Sequence, residues 1–330
     1  MRNRILVLSI SLISFLGRAQ DPHLTMYDAA PMFLNSGLTG LFKGDWRLHT
    51  QYRTQWRSVN YKPYTSSLFS FDRSIGEKWG FGIQLHNFRA GYGNFNVLQG
   101  LVSTSYGIAV DKNKFHNLSF GLQAGAIQKS IELPLLTFNN QYTLTNGGSY
   151  DNTLPSGENV GAQVKLMPTV NASVMYYSGK QQSRYNYFAG LSLFNLLRPN
   201  ESFFGYENRL PIRGYLHLGT RINVNELLYF APKLLLMHQR KFNEQTLALE
   251  SAYFLKSSET FLIGSMMFRY KDAFALSLGV KKLNFIFRIA YDINVSKLTT
   301  ASKGRGGIEF SLTYTRIKDK PQTMKIIPRL

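Results

Sequence analysis

Polar and apolar residues alternate strictly between residues 46 and 57. One set of alternate positions is apolar or small, namely Trp46, Leu48, Thr50, Tyr52, Thr54 and Trp56. The other set is entirely polar, namely Arg47, His49, Gln51, Arg53, Gln55 and Arg57. A period of two predicts a β-strand with two different faces, because a helix would mix both sets on every side.

The spacing of the two tryptophans suggests what the apolar face meets. Trp46 and Trp56 lie ten residues apart, which is roughly 33 Å along a strand. A tilt of about 40° projects this length onto about 25 Å, the height of the apolar band of an outer-membrane barrel between its aromatic girdles. A long amphipathic strand in a soluble sandwich is the alternative that this stretch leaves open.

The same alternation recurs along the rest of the chain. The face opposite the apolar residues favours Gly, Ser, Gln, Asn and Arg. A sandwich would need that face to be dry or solvent-facing, whereas a barrel lumen accepts the mixture. We therefore predict an all-β fold, a transmembrane antiparallel β-barrel of about fourteen strands. The predicted strands lie near 46–57, 64–73, 79–90, 96–110, 117–130, 164–177, 185–195, 212–222, 228–240, 244–256, 260–270, 273–281, 283–293 and 307–316.

The lengths of the connections predict how the barrel is oriented. The long connections are 131–163, 196–211 and 294–306, and all follow odd-numbered strands. Bacterial barrels have short periplasmic turns and longer outer loops, so we expect both chain termini in the periplasm. The stretch 139–159 is rich in Gly, Asn, Ser and Thr, which predicts a mobile outer loop.

The two ends of the chain differ from the barrel. Residues 1–19 have a basic start, a short apolar core and small residues near Ala19, the pattern of a signal peptide. Residues 20–44 form a lead-in with many turn residues, whose apolar side chains need a place to pack, such as the barrel mouth. We assign 45–316 to the barrel and 317–330 to a basic periplasmic tail that is either disordered or binds a partner.

Composition excludes several classes of protein. The chain of 330 residues is 44% hydrophobic and 14% aromatic, and after the N-terminus it has no apolar run of the roughly 20 residues that a membrane helix needs. The absence of cysteine excludes disulfides and thiolate chemistry. The net charge of +19 is spread over strands and turns without a dense patch, so we expect no nucleic-acid partner.

Catalytic and metal-binding patterns are weak. His49 and His86 fall on polar strand faces without a third ligand at a useful spacing, so they are predicted to hydrogen-bond in the lumen. His238 with Glu244 or Glu250 could form an acid–base pair, but no nucleophile motif accompanies it. We expect no enzyme activity, no cofactor and no metal.

Short motifs lie at the two ends of the chain. Those near the N-terminus are Gln20-Asp21-Pro22-His23, Tyr27, Ala30-Pro31, Leu34-Asn35, Gly40 and Tyr52-Arg53-Thr54-Gln55-Trp56. Those near the C-terminus are Tyr291-Asp292, Ser296, Leu298, Ser302, Gly304, Gly307-Ile308-Glu309, Leu312 and Tyr314. Both sets resemble the motifs of the PorP/SprF family of outer-membrane proteins of type IX secretion and gliding motility. The family usually has Asn-Pro-Ala where this chain has Asn35-Ser36-Gly37, which loosens the turn.

The resemblance implies a barrel that helps to export and anchor a secreted, adhesin-like partner through that partner's C-terminal domain. It also implies periplasmic ring or peptidoglycan-binding components as further partners, and outer-membrane lipid around the barrel. The motif residues would be structural or partner contacts, and the loops 131–163 and 196–211 would form the outer recognition surface. A diffusion channel for small solutes is the alternative, and an outer-membrane hydrolase is a weaker one.

Overall fold

The computed structural model describes residues 23–57, 62–144, 147–158, 163–179, 183–204, 206–296 and 299–317. Within these residues, fourteen antiparallel strands close into one barrel. The predicted signal peptide and most of the predicted tail lie outside the described residues. No helix among those described has the length and apolar character needed to cross a membrane.

The barrel strands begin and end within two residues of the predicted bounds. They are β1 (Trp46–Gln55), β2 (Tyr64–Ile75), β3 (Trp79–Ala90), β4 (Phe95–Ala109), β5 (His116–Ser130), β6 (Val164–Ser178), β7 (Tyr185–Phe194), β8 (Arg213–Asn223), β9 (Leu228–Gln239), β10 (Phe242–Leu255), β11 (Thr260–Arg269), β12 (Ala273–Lys282), β13 (Phe285–Asn294) and β14 (Arg305–Arg316). Each strand pairs with its neighbours in sequence, and β1 pairs with β14 to close the barrel. The prediction of a fourteen-stranded antiparallel barrel is confirmed.

The two faces of the wall are the reverse of those in a water-soluble protein. On β3, the outward Trp79 and Leu85 are 48% and 50% exposed, whereas the inward Gln84 and His86 are 2% and 4% exposed. Large apolar side chains cover the outside, and polar side chains are buried within. Such an apolar exterior suits contact with lipid. A closed barrel also suits a membrane because its strands pair their backbone hydrogen-bonding groups with one another.

Aromatic residues form a belt around the short-turn end of the barrel. The ring of Trp46 lies 6.0 Å from that of Phe71 and 5.1 Å from that of Tyr314. Trp79 and Tyr106 continue the belt, with ring centroids 4.7 Å apart. This arrangement matches one interfacial girdle of a membrane barrel.

Trp56 does not mark the opposite girdle, so that part of the prediction is wrong. β1 ends at Gln55, and Trp56 has φ of 62°. Its ring packs 4.6 Å from that of Tyr64, which in turn contacts the buried Phe88. The left-handed backbone at Trp56 takes the side chain off the outer face, and alternation alone cannot reveal such a local turn.

All long connections lie at one end of the barrel, because they follow odd-numbered strands. The connection after β5 contains two 3-10 turns (Leu133–Leu135 and Asn139–Gln141) and a small hairpin (Tyr142–Thr143 with Ser149–Tyr150). A short helix (Thr299–Ser302) lies between β13 and β14. The loop predicted from composition as merely mobile therefore has local structure.

The described part of the lead-in, residues 23–44, lies inside the barrel. It contains a 3-10 turn (Tyr27–Ala29), a helical turn (Pro31–Leu34) and a second 3-10 turn (Ser36–Leu38). Pro31 occupies the first helical position, where its missing N–H costs nothing. Asn35 then accepts a hydrogen bond from the Gly37 N–H at 2.8 Å and caps the next turn.

Candidate functional site: the lead-in inside the barrel

The lead-in contacts the inner face of every barrel strand. Its residues meet β1 to β14 in turn through Arg53, Asp72, His86, Ser103, Gln123, Ser173, Ser192, His217, Lys233, Glu244, Met267, Ser277, Asp292 and Glu309. Most of these contacts are hydrogen bonds in which a side chain of the barrel wall is donor or acceptor. Buried polar groups need hydrogen-bond partners. The lead-in supplies partners to polar side chains of the inner face that would otherwise need water.

The first residues of the lead-in meet the seam where the barrel closes. Glu309 accepts hydrogen bonds from the backbone N–H groups of Thr25 at 2.7 Å and Met26 at 2.9 Å. The Thr25 hydroxyl donates to Asp292 at 2.8 Å. Arg53 and Arg269 both donate to Asp292, at 2.7 and 2.9 Å. We name Arg53, Arg269, Asp292 and Glu309 the seam cluster.

His23 lies beside this cluster with its side chain 14% exposed. Burial, and then the charges of Arg269, Arg53 and Arg213, hold the pKa of His23 well below its usual value. The nearest carboxylate is Glu244, 3.9 Å away. The neutral imidazole is therefore the form that fits this position.

A second charge cluster holds the 3-10 turn at mid-depth. The Asp28 carboxylate accepts from Lys233 at 2.6 Å and from Arg288 at 3.1 Å. Glu250 accepts from Lys233 at 3.0 Å. Asp28 is thus a buried anion that anchors the lead-in to two strands.

Near the short-turn end, the backbone of the lead-in is held by Asp72. The Gly40 N–H donates to Asp72 at 2.7 Å. Arg47 donates twice to the same carboxylate, at 3.0 and 2.7 Å, and once to the carbonyl of Leu38 at 3.3 Å. A buried, bidentate arginine–carboxylate pair is stabilising and also fixes the orientation of both side chains.

Glycines of the wall allow the backbone of the lead-in to approach. A Cβ atom at Gly121 would lie 2.1 Å from the Gly37 nitrogen, and one at Gly80 would lie 2.0 Å from the Thr39 oxygen. No side chain fits at such distances without moving the backbone. The predicted polar and glycine-rich inner face therefore serves direct backbone contact with the lead-in.

The lead-in runs along the barrel from the long-loop end to the short-turn end. Thr25 contacts Glu309, which is paired with Arg53, the third residue from the end of β1. Gly40 contacts Asp72, which is paired with Arg47 at the start of β1. Arg53 and Arg47 are six residues apart, which corresponds to roughly 20 Å along the strand.

The described ends of the chain consequently lie at opposite ends of the barrel. His23 is at the long-loop end beside Arg53, and Ile317 follows β14 at the short-turn end. The prediction that both ends of the chain face the periplasm cannot hold for both of these residues, whichever way the barrel sits. The reason is that the lead-in threads the lumen instead of resting in its near mouth.

Two of the cavities inside the barrel are small. The one beside Thr25, Glu244 and Arg269 has a volume of about 10 Å³, and one between the barrel residues Arg213 and Phe242 has the same volume. Each is large enough for about one water molecule.

The structure brings part of the family motif together. Arg53, Asp292 and Glu309 belong to the seam cluster, and Tyr27, Pro31, Asn35 and Gly40 lie in the lead-in. Tyr52, Tyr291 and Leu312 face outward, with 41%, 45% and 39% exposure. Further motif residues lie where strands end or in the β13–β14 connection, among them Gln55, Trp56, Ser296 and Gly304. Asp21, Pro22 and Leu298 lie outside the described residues.

Sequence reasoning missed the anchors of the second cluster and part of the first. The sequence did not predict the ion pairs that join Asp28 and Glu250 to Lys233, Asp28 to Arg288, and Arg269 to Asp292. Charged residues at inward strand positions were visible in the sequence, and such residues need a buried partner of opposite charge. The sequence did not identify which residue that partner is.

The candidate acid–base pair is not formed. His238 faces outward and bonds Asn243 at 2.6 Å, whereas Glu244 and Glu250 are buried on the inner face. His49 and His86 do lie on the inner face, as predicted. Among the described residues, no group of His, Asp and Glu side chains has the geometry of a metal site.

These features define a β-barrel of the bacterial outer-membrane type with its own N-terminal segment folded in the lumen. The family model described as "Type IX secretion system membrane protein PorP/SprF" matches residues 16–314. The chain belongs to this family.

Solved structures show the same fold. The toluene transporter TbuX of Ralstonia pickettii is 10% identical, with a TM-score of 0.51 over 87% of this chain and 92% of that chain. The toluene transporter TodX of Pseudomonas putida is 12% identical, with a TM-score of 0.50 over 90% of this chain and 95% of that chain. No curated protein matches the chain.

Proposed function

We propose that this chain is a plugged outer-membrane barrel that docks a secreted partner of the type IX system and helps to export it or anchor it at the surface. The partner would be recognised through its C-terminal domain, as in an adhesin of the gliding apparatus. One observation carries the proposal: the lead-in occupies the lumen and contacts all fourteen strands. A barrel filled in this way works through its ends and not through its interior.

The proposed orientation places the short turns in the periplasm and the long loops outside, as is usual for bacterial barrels. Ile317 and the basic tail 317–330 then face the periplasm, where ring or peptidoglycan-binding components could meet them. His23 then lies at the outer mouth.

The proposed docking surface is the long-loop end. There, Glu201 of the β7–β8 connection pairs with Lys129 at the top of β5, and it lies 3.9 Å from Arg240. Asn94 donates to Glu132 of the β5–β6 connection at 2.7 Å. These contacts join separate connections into one surface, which is favourable for recognition because less chain must be ordered on binding.

The test is a binding measurement with purified C-terminal domains of type IX substrates from the source bacterium. A variant with 139–158 replaced by a short Gly-Ser linker should bind the matching domain at least tenfold more weakly than the natural barrel. A variant with Lys112→Ser and Lys114→Ser in a short turn, both exposed, should bind it normally. Equal binding by all three proteins would refute docking at this loop.

A second candidate function is a channel, since the toluene transporters TbuX and TodX share the fold. That identity of 10–12% concerns the fold alone. A channel would need the lead-in to leave the lumen or rearrange, and ion conductance by the natural protein would favour it.

A further inference from the structure

The pairing between β6 and β7 is short and leaves much of β6 without a neighbouring strand on the β7 side. Only Ala172–Tyr177 of β6 pair with β7. On its other side, β6 pairs with β5 along its entire length, from Val164 with Ser130 to Ser178 with His116. The first eight residues of β6, 164–171, therefore have a neighbouring strand on one side only.

The register identifies which peptide groups face the open side. Pro168 is paired with Ala126 of β5, and because proline has no N–H it must occupy a position that does not bond β5. Val164, Leu166 and Val170 lie an even number of residues from Pro168, so their N–H and C=O groups also point away from β5. Two hydrogen bonds agree: Leu196 donates to the Val170 carbonyl at 3.0 Å on the open side, and Gln163, in the opposite phase, accepts from Ile131 at 3.0 Å.

The N–H and C=O groups of Val164 and Leu166 thus point away from β5. Within the described residues, neither has a hydrogen-bond partner on that side. Their side chains are also uncovered, with 56% of Val164 and 72% of Leu166 exposed. An edge that exposes both backbone and apolar side chains is a template for another strand.

The neighbouring connection covers only the part of this edge nearest to β7. There the Leu196 N–H donates to the Val170 carbonyl and the Asn195 N–H donates to the Asn171 side chain, both at 3.0 Å. Farther along the connection, Leu210 packs with the buried Met167 on the inner face of β6. Among the described residues, the connection therefore bonds neither Val164 nor Leu166.

We infer that this open edge of β6 binds an extended segment of the secreted partner by β-strand addition. The mode fits because alternating free N–H and C=O groups are satisfied best by a strand. The inference depends on the proposed docking function and names its contact. Pro168 has no N–H to donate to an added strand. The added strand is therefore limited to the part of the edge between Pro168 and the long-loop end of β6.

The charges beside the edge specify the occupant further. Lys165 lies on the inner face and Arg198 in the adjoining connection, and neither has a carboxylate partner among the described residues. The segment that fits has apolar residues on its outer side, against Val164 and Leu166, and acidic residues on its inner side. A second copy of this barrel would instead bring two basic edges together.

The test compares Leu166→Pro with Leu166→Ala. Leu166→Pro removes the N–H that faces the open edge and leaves the bonds to β5 intact, since Leu166 makes none of them. Leu166→Ala keeps the N–H and shortens the side chain. Both barrels are checked for folding by circular dichroism, and their affinity is measured for the same purified C-terminal domains of type IX substrates.

The expected result is binding at least about tenfold weaker for Leu166→Pro and within about twofold of natural for Leu166→Ala. Equal affinity of the natural and Leu166→Pro barrels would overturn the inference while docking itself stands. Equal loss in both variants would also overturn it, because the side chain would then be the contact. Failure of every domain to bind the natural barrel would sink both the docking function and the edge.

A crosslinking experiment decides the matter if Leu166→Pro does not fold. The natural chain has no cysteine, so Leu166→Cys offers a single thiol. It should form a disulfide with single cysteines placed along one segment of the bound domain at every second residue. A disulfide between two Leu166→Cys barrels, or crosslinks without this period, would contradict the inference.

Discussion

Asp292→Asn should release the first part of the lead-in from the seam. Asp292 receives hydrogen bonds from Arg53, Arg269 and the Thr25 hydroxyl at 2.7, 2.9 and 2.8 Å. The substitution keeps the size of the side chain but removes its charge, which leaves two buried guanidinium groups short of an anion. Breaking a buried charge pair by removing one partner costs about 3–5 kcal/mol. Because Glu309 still lies 3.5 Å from Arg53, we expect about 3 kcal/mol.

The matched control is Asp272→Asn. Asp272 pairs with the same Arg269 at 2.8 Å, but its side chain is 46% exposed. Exposed ion pairs contribute about 0–1 kcal/mol. The two variants therefore lose the same charge beside the same arginine and differ in burial.

The assay has two readouts in detergent micelles. Denaturant unfolding should show a free energy of unfolding about 3 kcal/mol lower for Asp292→Asn and at most about 1 kcal/mol lower for Asp272→Asn. In a Leu24→Cys background, a maleimide should react quickly only when Asp292→Asn is present, since Leu24 is buried. Equal and small effects of both variants, with Leu24→Cys still protected, would refute the anchoring role of the seam cluster.

Three further predictions follow from other contacts. Gly121→Ala should lower the free energy of unfolding by about 1–3 kcal/mol, as measured by denaturant unfolding. Gly100→Ala, whose Cβ would meet nothing nearer than 3.5 Å, should leave it unchanged. Equal stability of the two variants would contradict the close approach of the lead-in to Gly121. Because the pKa of His23 is lowered in the folded state, proton binding by the unfolded chain lowers the free energy of unfolding below about pH 6.5, by up to about 1.4 kcal/mol per pH unit. His23→Asn should remove this share and make the slope shallower in unfolding measured from pH 7.5 to 5.5, while other buried histidines, such as His49 and His217, are unchanged; a slope equal to that of the natural protein would contradict it. On intact cells, an impermeant maleimide should label Asn152→Cys and spare Lys112→Cys, and the reverse pattern would invert the proposed orientation.

The barrel could be predicted from sequence because its two faces have different surroundings, apolar outside the barrel and polar within it. Residues of β1 such as Leu48 and Arg53 differ in polarity for that reason, and the alternation is visible without any tertiary information. The parity of the long connections gave the strand count independent support. Trp56 was misplaced because one left-handed residue ends the strand without a polarity signal.

The path of the lead-in could not be predicted. Its first contact joins Thr25 to Glu309, 284 residues away, and no local pattern specifies such a partner. Glu309, Asp292 and Arg53 come together only because β1 pairs with β14, which is a property of closure and register. The sequence identified them as motif residues and as inward positions, but their shared role in holding the lead-in required the three-dimensional arrangement.

Conductance in a planar lipid bilayer tests most directly whether the lead-in fills the lumen. The natural protein, inserted at single-molecule level, should show no stable ion-conducting steps. A variant lacking 23–42 that still folds as a barrel should show stable steps, because the inner face is polar and lined by charged residues. Steady conductance by the natural protein, unchanged when 23–42 are removed, would contradict the account.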